Sequence, residues 1–261
     1  MKAFNQVSAV TGKAIKEFMR ERMVLFWTYA VPVFFLMVLP VMYNDAPRDI
    51  LASLKGGLTI TMLNFMTMTA GQSNLPGSIA TDREKGVYLK MASMPVSPMW
   101  EGVGRVIAVW FASTLGALII IAMGIGYGAV FTVNLYSLLQ TAGFSLLVAL
   151  ASTGIGFIIA ALVKGESAAT HTGIAITLLT YFLGGMAIPY DNLPDFMKAL
   201  ARVHPIPSAN ASIIQLLIGQ SYTGYDALTA FQISTTVAFS VLLFSAGLLV
   251  YTRNCWRRTE H

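Results

Sequence analysis

Six stretches without a single Asp, Glu, Lys or Arg limit what this chain can become: residues 23–44, 56–81, 106–163, 167–190, 203–225 and 227–252. A helix needs about 20 mostly apolar residues to cross a bilayer, and each stretch is at least that long. A charged side chain at the bilayer centre costs roughly 3 kcal/mol or more, so charges collect between such runs. Only 11% of the residues are charged and 56% are hydrophobic, whereas soluble domains carry about 25% charged residues. The expected fold class is all-α integral membrane, crossing the bilayer several times.

The run 106–163 is too long for one helix, and the glycines of "GIGYGAVFTVN" near its middle mark a turn between two spans. The run 203–225 begins "VHPIPSANAS", whose prolines and polar residues suit a re-entrant or interfacial hairpin better than a span. Six spans follow, at about 23–42, 56–79, 104–127, 134–162, 168–188 and 228–251. The first is preceded by 22 residues and is too long for a signal-peptide core, so it reads as a retained span. With both termini cytoplasmic, 13 of the 17 Lys and Arg residues face inward, Lys2, Arg257 and Arg258 among them. Arg48, Lys55, Lys198 and Arg202 are left outside, as the positive-inside bias expects. A seventh span would place "RNCWRR" outside. The single cysteine, Cys255, excludes an internal disulfide and is expected on the cytoplasmic side.

Residues 1–22 have Phe4, Val7, Val10, Ala14, Ile15 and Phe18 at helical spacing, with Lys13, Lys16, Glu17 and Arg20 largely elsewhere. This is the pattern of a basic amphipathic helix lying in the membrane interface; a soluble cap helix shares it. The remainder, 23–261, is expected to form one six-span membrane domain. Its main cytoplasmic loop is 80–103, and its extracellular element is 189–227. Within that loop Thr81, followed by Asp82 and Glu84, reads as a helix start. Pro95 and Pro98 mark a second one. A short mixed-charge helix there suits docking to a soluble partner; a polar loop obeying the topology bias explains the composition equally well.

The segment "DREKGVYLKMASMPVSP", followed by "GRV" at the head of a span, resembles the corresponding loop of type-2 ATP-binding-cassette exporter permeases. A second stretch, "GGMAIPYDNLPDFMKALARVHPIPSANA", is similar to that family's extracellular element, nearest to the branch exporting drugs and small amphiphiles. With the amphipathic start and six spans, the resemblance covers nearly the whole chain. It implies a permease that pairs with a second copy or a sister subunit and docks a soluble ATPase through the helix between spans two and three. ATP and magnesium would then be bound by that partner. The resemblance places Asp82, Arg83, Glu84, Lys85, Gly86, Pro95 and Pro98 in the coupling element. Leu89 stands where relatives often have a second acidic residue, which implies a more apolar contact.

Span two is unusually polar, with Asn64, Thr67, Gln72 and Asn74. Asn64, Thr67 and Asn74 share an arc of about 80° on an ideal helix. These residues, with His171 of span five, are candidates for a substrate path; hydrogen bonding between helices explains them as well. No G-x-x-x-x-G-K-[ST] motif occurs, so the chain lacks that phosphate-binding loop. Three dispersed histidines and one cysteine offer no metal-ligand spacing. The expectation is a transport subunit with no catalytic chemistry, no cofactor of its own and no nucleic-acid partner. An ATP-independent carrier or channel, or a membrane scaffold, is the alternative. The first of these usually needs ionisable residues at span centres, and none is found there.

Overall fold

The computed structural model describes residues 3–43, 47–220 and 223–256; Lys2, Arg257 and Arg258 lie outside them. Among the described residues the chain is helical and has no strands. Helix α1 (Ala3–Arg20) leads into α2 (Arg22–Val38), which runs on as a 3-10 turn, Leu39–Tyr43. Next come α3 (Arg48–Thr69), a π-helical turn (Ala70–Asn74) and α4 (Leu75–Glu84). The short α5 (Val87–Ala92) precedes the long α6 (Pro98–Gly126) and α7 (Leu135–Leu162). Then follow α8 (Glu166–Leu183), α9 (Asp195–Val203), α10 (Pro205–Leu217) and α11 (Ala230–Asn254).

Among the described residues, four helices are long and apolar enough to cross a membrane: Arg22–Met42, Pro98–Gly126, Leu135–Leu162 and Ala230–Asn254. The other two expected spans are also helical but more polar. One falls on α3, the π turn and α4, which together form a rod about 55 Å long at 1.5 Å per residue. The other falls on α8, which opens with Glu166 and includes His171. The run 203–225 yields only the 13-residue α10. Phe34, Leu118, Leu139, Leu179 and Leu242 turn their side chains outward, each more than half exposed. Such surface suits lipid rather than water.

Helix α7 is the most enclosed candidate span, and α11 packs closely along it. A Cβ on Gly247 would meet the Gly154 carbonyl oxygen, so the two backbones touch where neither helix has a side chain. Close approach through small residues is how helices associate in lipid, where apolar burial supplies little drive. The π turn has a local cause. Pro76 has no N–H to give the Gln72 carbonyl, and the Leu75 N–H bonds Ala70 instead, one residue further back. Helix α8 packs onto the exposed carbonyl of Gln72 at Gly173, where any Cβ would collide with that oxygen.

Helix α1 lies on α6 rather than standing alone. Its Gln6 exchanges hydrogen bonds with the Ser97 backbone at 2.7 and 3.2 Å, and Thr11 donates to the Gly104 carbonyl. At the other end of the bundle His204 caps α10, with Nδ1 accepting the Ile206 N–H at 3.3 Å. That cap needs an unprotonated Nδ1. Burial pushes the His204 pKa down to about 4 from the ordinary 6.5. The unfolded chain therefore binds the extra proton first, and stability falls as pH drops from 6.5 towards 4.

Gly247→Val should lower stability by about 1–3 kcal/mol through overpacking, read from thermal unfolding in detergent. His204→Asn retains a capping acceptor and should flatten the loss of stability between pH 6.5 and 4; an unchanged pH profile would remove His204 as its source.

Candidate functional site

Where α1, α4, α5, α6 and α11 meet, the structure buries a closed circuit of charges and hydroxyls. Arg105, 3% exposed, and Glu101, 1% exposed, face each other one turn apart on α6. Arg105 Nε donates to Glu101 Oε1 at 2.5 Å, and Nη2 donates to Asp82 Oδ2 at 2.7 Å. The same Nη2 donates to the Tyr88 hydroxyl at 3.1 Å. Tyr251 donates its only hydroxyl proton to Glu101 Oε2 at 2.5 Å. The 2.8 Å contact between Tyr88 and Tyr251 must therefore use the Tyr88 proton. The ring runs from donor to acceptor along two arms, Arg105 to Tyr88 to Tyr251 to Glu101 on one and Arg105 directly to Glu101 on the other.

Charge balance brings in α1. Arg105, Asp82 and Glu101 alone leave one excess negative charge. Lys13 supplies the missing positive one, with Nζ donating to both Asp82 oxygens at 2.8 Å. Burial alone would raise the Asp82 pKa, but Arg105 and Lys13 outweigh it and hold the carboxyl below its ordinary range. Its contribution to stability is present above the unfolded value of 3.8 and is lost as pH falls through the lower folded value. Burial pushes the Tyr88 hydroxyl far above the ordinary range, so it stays a donor. The Tyr88 ring also meets Tyr251 and Trp256 edge-on at 6.2 and 5.5 Å. Tyr251 stacks on Phe157 of α7 at 4.7 Å.

The coupling residues expected from sequence divide between two roles. Asp82 points inward to Arg105 and Lys13. Arg83 donates to the Ala160 and Val163 carbonyls at 3.2 and 2.9 Å, satisfying the end of α7. Glu84, Lys85 and Pro95 are exposed, as are Leu89, Lys90, Met94, Met99 and Trp100. Thr81 does not start a helix: its hydroxyl donates to the Gly77 carbonyl inside α4. The break comes at Gly86, with φ at +66°, a left-handed conformation that only glycine adopts readily. Gly86 therefore ends α4 and opens α5. Pro98 occupies the first turn of α6, where its missing N–H costs nothing.

The polar residues expected to line a path are spent on three different neighbours. Asn64 donates to Asn210 of α10 at 2.7 Å, Gln72 accepts from Thr177 of α8 at 3.1 Å, and Asn74 donates to Thr28 of α2 at 3.1 Å. Thr67 donates to the Leu63 carbonyl of its own helix. The π turn rotates Asn74 out of phase with Asn64, so they do not share one face. His171 is exposed, with Nδ1 against the Ser167 carbonyl at 2.7 Å. Asn210, within an Asn-Ala-Ser triplet, is buried in hydrogen bonds. Glu101, Tyr88, Tyr251 and Lys13 were absent from the expected site, and Arg105 was counted only as a topology charge. The available signal was Glu101 and Arg105 four residues apart at the mouth of an apolar run.

Helices apolar enough to span a bilayer, with an exposed charged segment between α4 and α6, mark a membrane protein. Residues 5–218 match the family model described as "ABC-2 type transporter". The chain belongs to that family, as a membrane subunit of an ABC transporter, and such membrane domains generally work with an ATPase subunit. A comparison with curated proteins gave no match.

Removing one partner of a buried pair leaves the others uncompensated, so Arg105→Met should destabilise the protein by about 3–5 kcal/mol. Tyr88→Phe breaks the circuit but keeps the ring, and should cost about 1–3 kcal/mol. Unfolding in detergent micelles checks both.

Proposed function

We propose that this chain is the permease subunit of an ATP-driven exporter in the cell membrane and moves a small amphiphile, drug or lipid-like molecule outward. The observation that carries this reading is the pairing of an exposed ridge with a buried anchor on α5. Lys90 and Leu89, 62% exposed, offer a surface to a partner. Tyr88, 4% exposed, ties the same helix to α6 and α11. A push on the ridge reaches two long helices through one ring and its hydroxyl.

On this reading residues 80–103 are cytoplasmic, both termini are inside and 189–227 is outside. The α3–α4 rod and α8 join the four apolar helices to make six spans. Most of their polar side chains bond a neighbouring helix or a carbonyl one turn back, which makes them tolerable there. Helix α1 rests in the inner interface, held by Lys13, and 23–261 forms the permease domain. Glu84 and Lys85 make charged contacts with a soluble ABC ATPase, to which ATP and magnesium bind. Two permease copies, or a copy and a homologue, form the working dimer. Asn64, Thr67, Gln72, Asn74 and His171 stay candidates for a path, although the first four each already bond a protein group. The buried charges lie at one end, in balanced pairs, and this favours a coupled permease over an ion-driven carrier.

Mild-detergent purification of the tagged protein from its native membranes should retain an ATPase with a phosphate-binding loop. Glu84→Lys should reduce that retention roughly tenfold, about 1.4 kcal/mol, without altering insertion. Retention of no ATPase under several mild conditions would favour a carrier or scaffold. Cys255 is too buried, at 5% exposed, to report sidedness. Ser93→Cys replaces it: a membrane-impermeant thiol reagent should label this variant only after permeabilisation, and labelling of intact cells would overturn the orientation.

A further inference from the structure

At the end of the bundle near α9 and α10, remote from the charge circuit, lies a cavity of about 300 Å³ within a single protomer. That is at the small end of ligand pockets, which run to roughly 1,000 Å³. Leu54 and Leu58 of α3, Ile214 of α10 and Met186 beyond α8 supply apolar walls. No charged side chain lines it among the described residues. Two cations sit over aromatic rings of the lining, Arg202 over Tyr225 and Tyr190 at 4.9 and 5.4 Å and Lys198 over Tyr190 at 5.9 Å, and neither lines the space.

Its polar groups are neutral and incompletely used. On the floor, Asn210 donates to Thr61 Oγ1 at 3.3 Å, and Asn64 donates to Asn210 Oδ1 at 2.7 Å. Thr61 accepts that bond but donates none among the described residues. Among the described residues, Asn64 Oδ1 behind it is buried without a partner, and so is the hydroxyl of Tyr225, a residue of the cavity lining. A buried polar group without a hydrogen bond is costly. A charged headgroup would lose its hydration here with no counter-charge to meet it. An apolar chain would fill the walls and leave the polar groups idle.

We infer that this cavity binds an uncharged amphiphile, an apolar body bearing one hydroxyl-like group that both donates and accepts. The apolar body lies along Leu54, Leu58 and Ile214, and its hydroxyl bonds to Thr61 and Asn210 or to Tyr225. Occupancy needs neither a second copy nor an ATPase, so the site stands or falls apart from the export reading.

The test uses the full chain in phosphatidylcholine nanodiscs, photolabelled with a diazirine-bearing 1-decanol at pH 7. Saturable labelling should fall on peptides of α3 and α10. Unlabelled 1-decanol should compete, with decanoate and decyltrimethylammonium at least roughly tenfold weaker because neither finds a counter-charge. Tyr225→Phe should weaken 1-decanol by about 2- to 10-fold if its hydroxyl takes the ligand, and Ala211→Phe should abolish saturable labelling by filling the space. Labelling that never saturates, that spreads over the lipid-facing sides of α2 and α6, or that either charged competitor blocks as well as decanol, overturns the proposal. If Ala211→Phe loses its monodisperse elution, Thr61→Val and Tyr225→Phe together decide. Unchanged competition in both variants counts against the site.

Discussion

The guanidinium of Arg105 has almost no access to water, and its charge has to be met from within the protein. Two carboxylates meet it, one from its own helix and one from α4, which overshoots by one negative charge. Lys13 restores the balance, and it does so from α1. Burying ions costs several kcal/mol each unless partners and hydrogen bonds are complete. The five helices that supply the groups are therefore placed relative to one another by this requirement. Tyr88 and Tyr251 complete the bonds that the charges leave open, and through them α5 and α11 join the same set.

The rest of the bundle follows a different rule, close approach of backbones. Gly154 and Gly247 bring α7 and α11 together, and Gly173 brings α8 onto the carbonyl that Pro76 leaves free at the π turn. The π turn also redirects the side chains that follow it. Gln72 and Asn74, two residues apart, thereby reach α8 and α2 on different sides of the rod. A helix with this many polar groups is stable among apolar neighbours because most of them bond either a group on another helix, as Asn64, Gln72 and Asn74 do, or a carbonyl one turn back, as Thr67 does.

Much of the fold was legible along the chain because the bilayer imposes its length and polarity on each segment separately. The apolar runs predicted α2, α6, α7 and α11 closely, and Pro205 and Pro207 stand in the first turn of the short α10 within 203–225. Pro98 was expected to open a separate short segment before a span at 104, whereas one unbroken helix runs from Pro98 to Gly126. The helix break was misplaced at Thr81, because a capping signal looks the same inside a helix as at its start; Gly86 decided the matter through its left-handed backbone. The polar residues of the second expected span were recognisable as unusual, but their partners Thr28, Thr177 and Asn210 lie 46, 105 and 146 residues away. No local pattern shows such pairings.

By itself the sequence determined that the chain lives in a membrane, which runs are apolar enough to enter it, and which short segment concentrates charge. These follow from the cost of placing a charge in hydrocarbon, a cost each residue meets alone. Only the tertiary structure decided what those charges do. Asp82 and Arg83 turn inward while Glu84 and Lys85 remain outside, although the four are consecutive. Burial and pairing depend on which helices pack around a position, and that is a property of the assembled bundle.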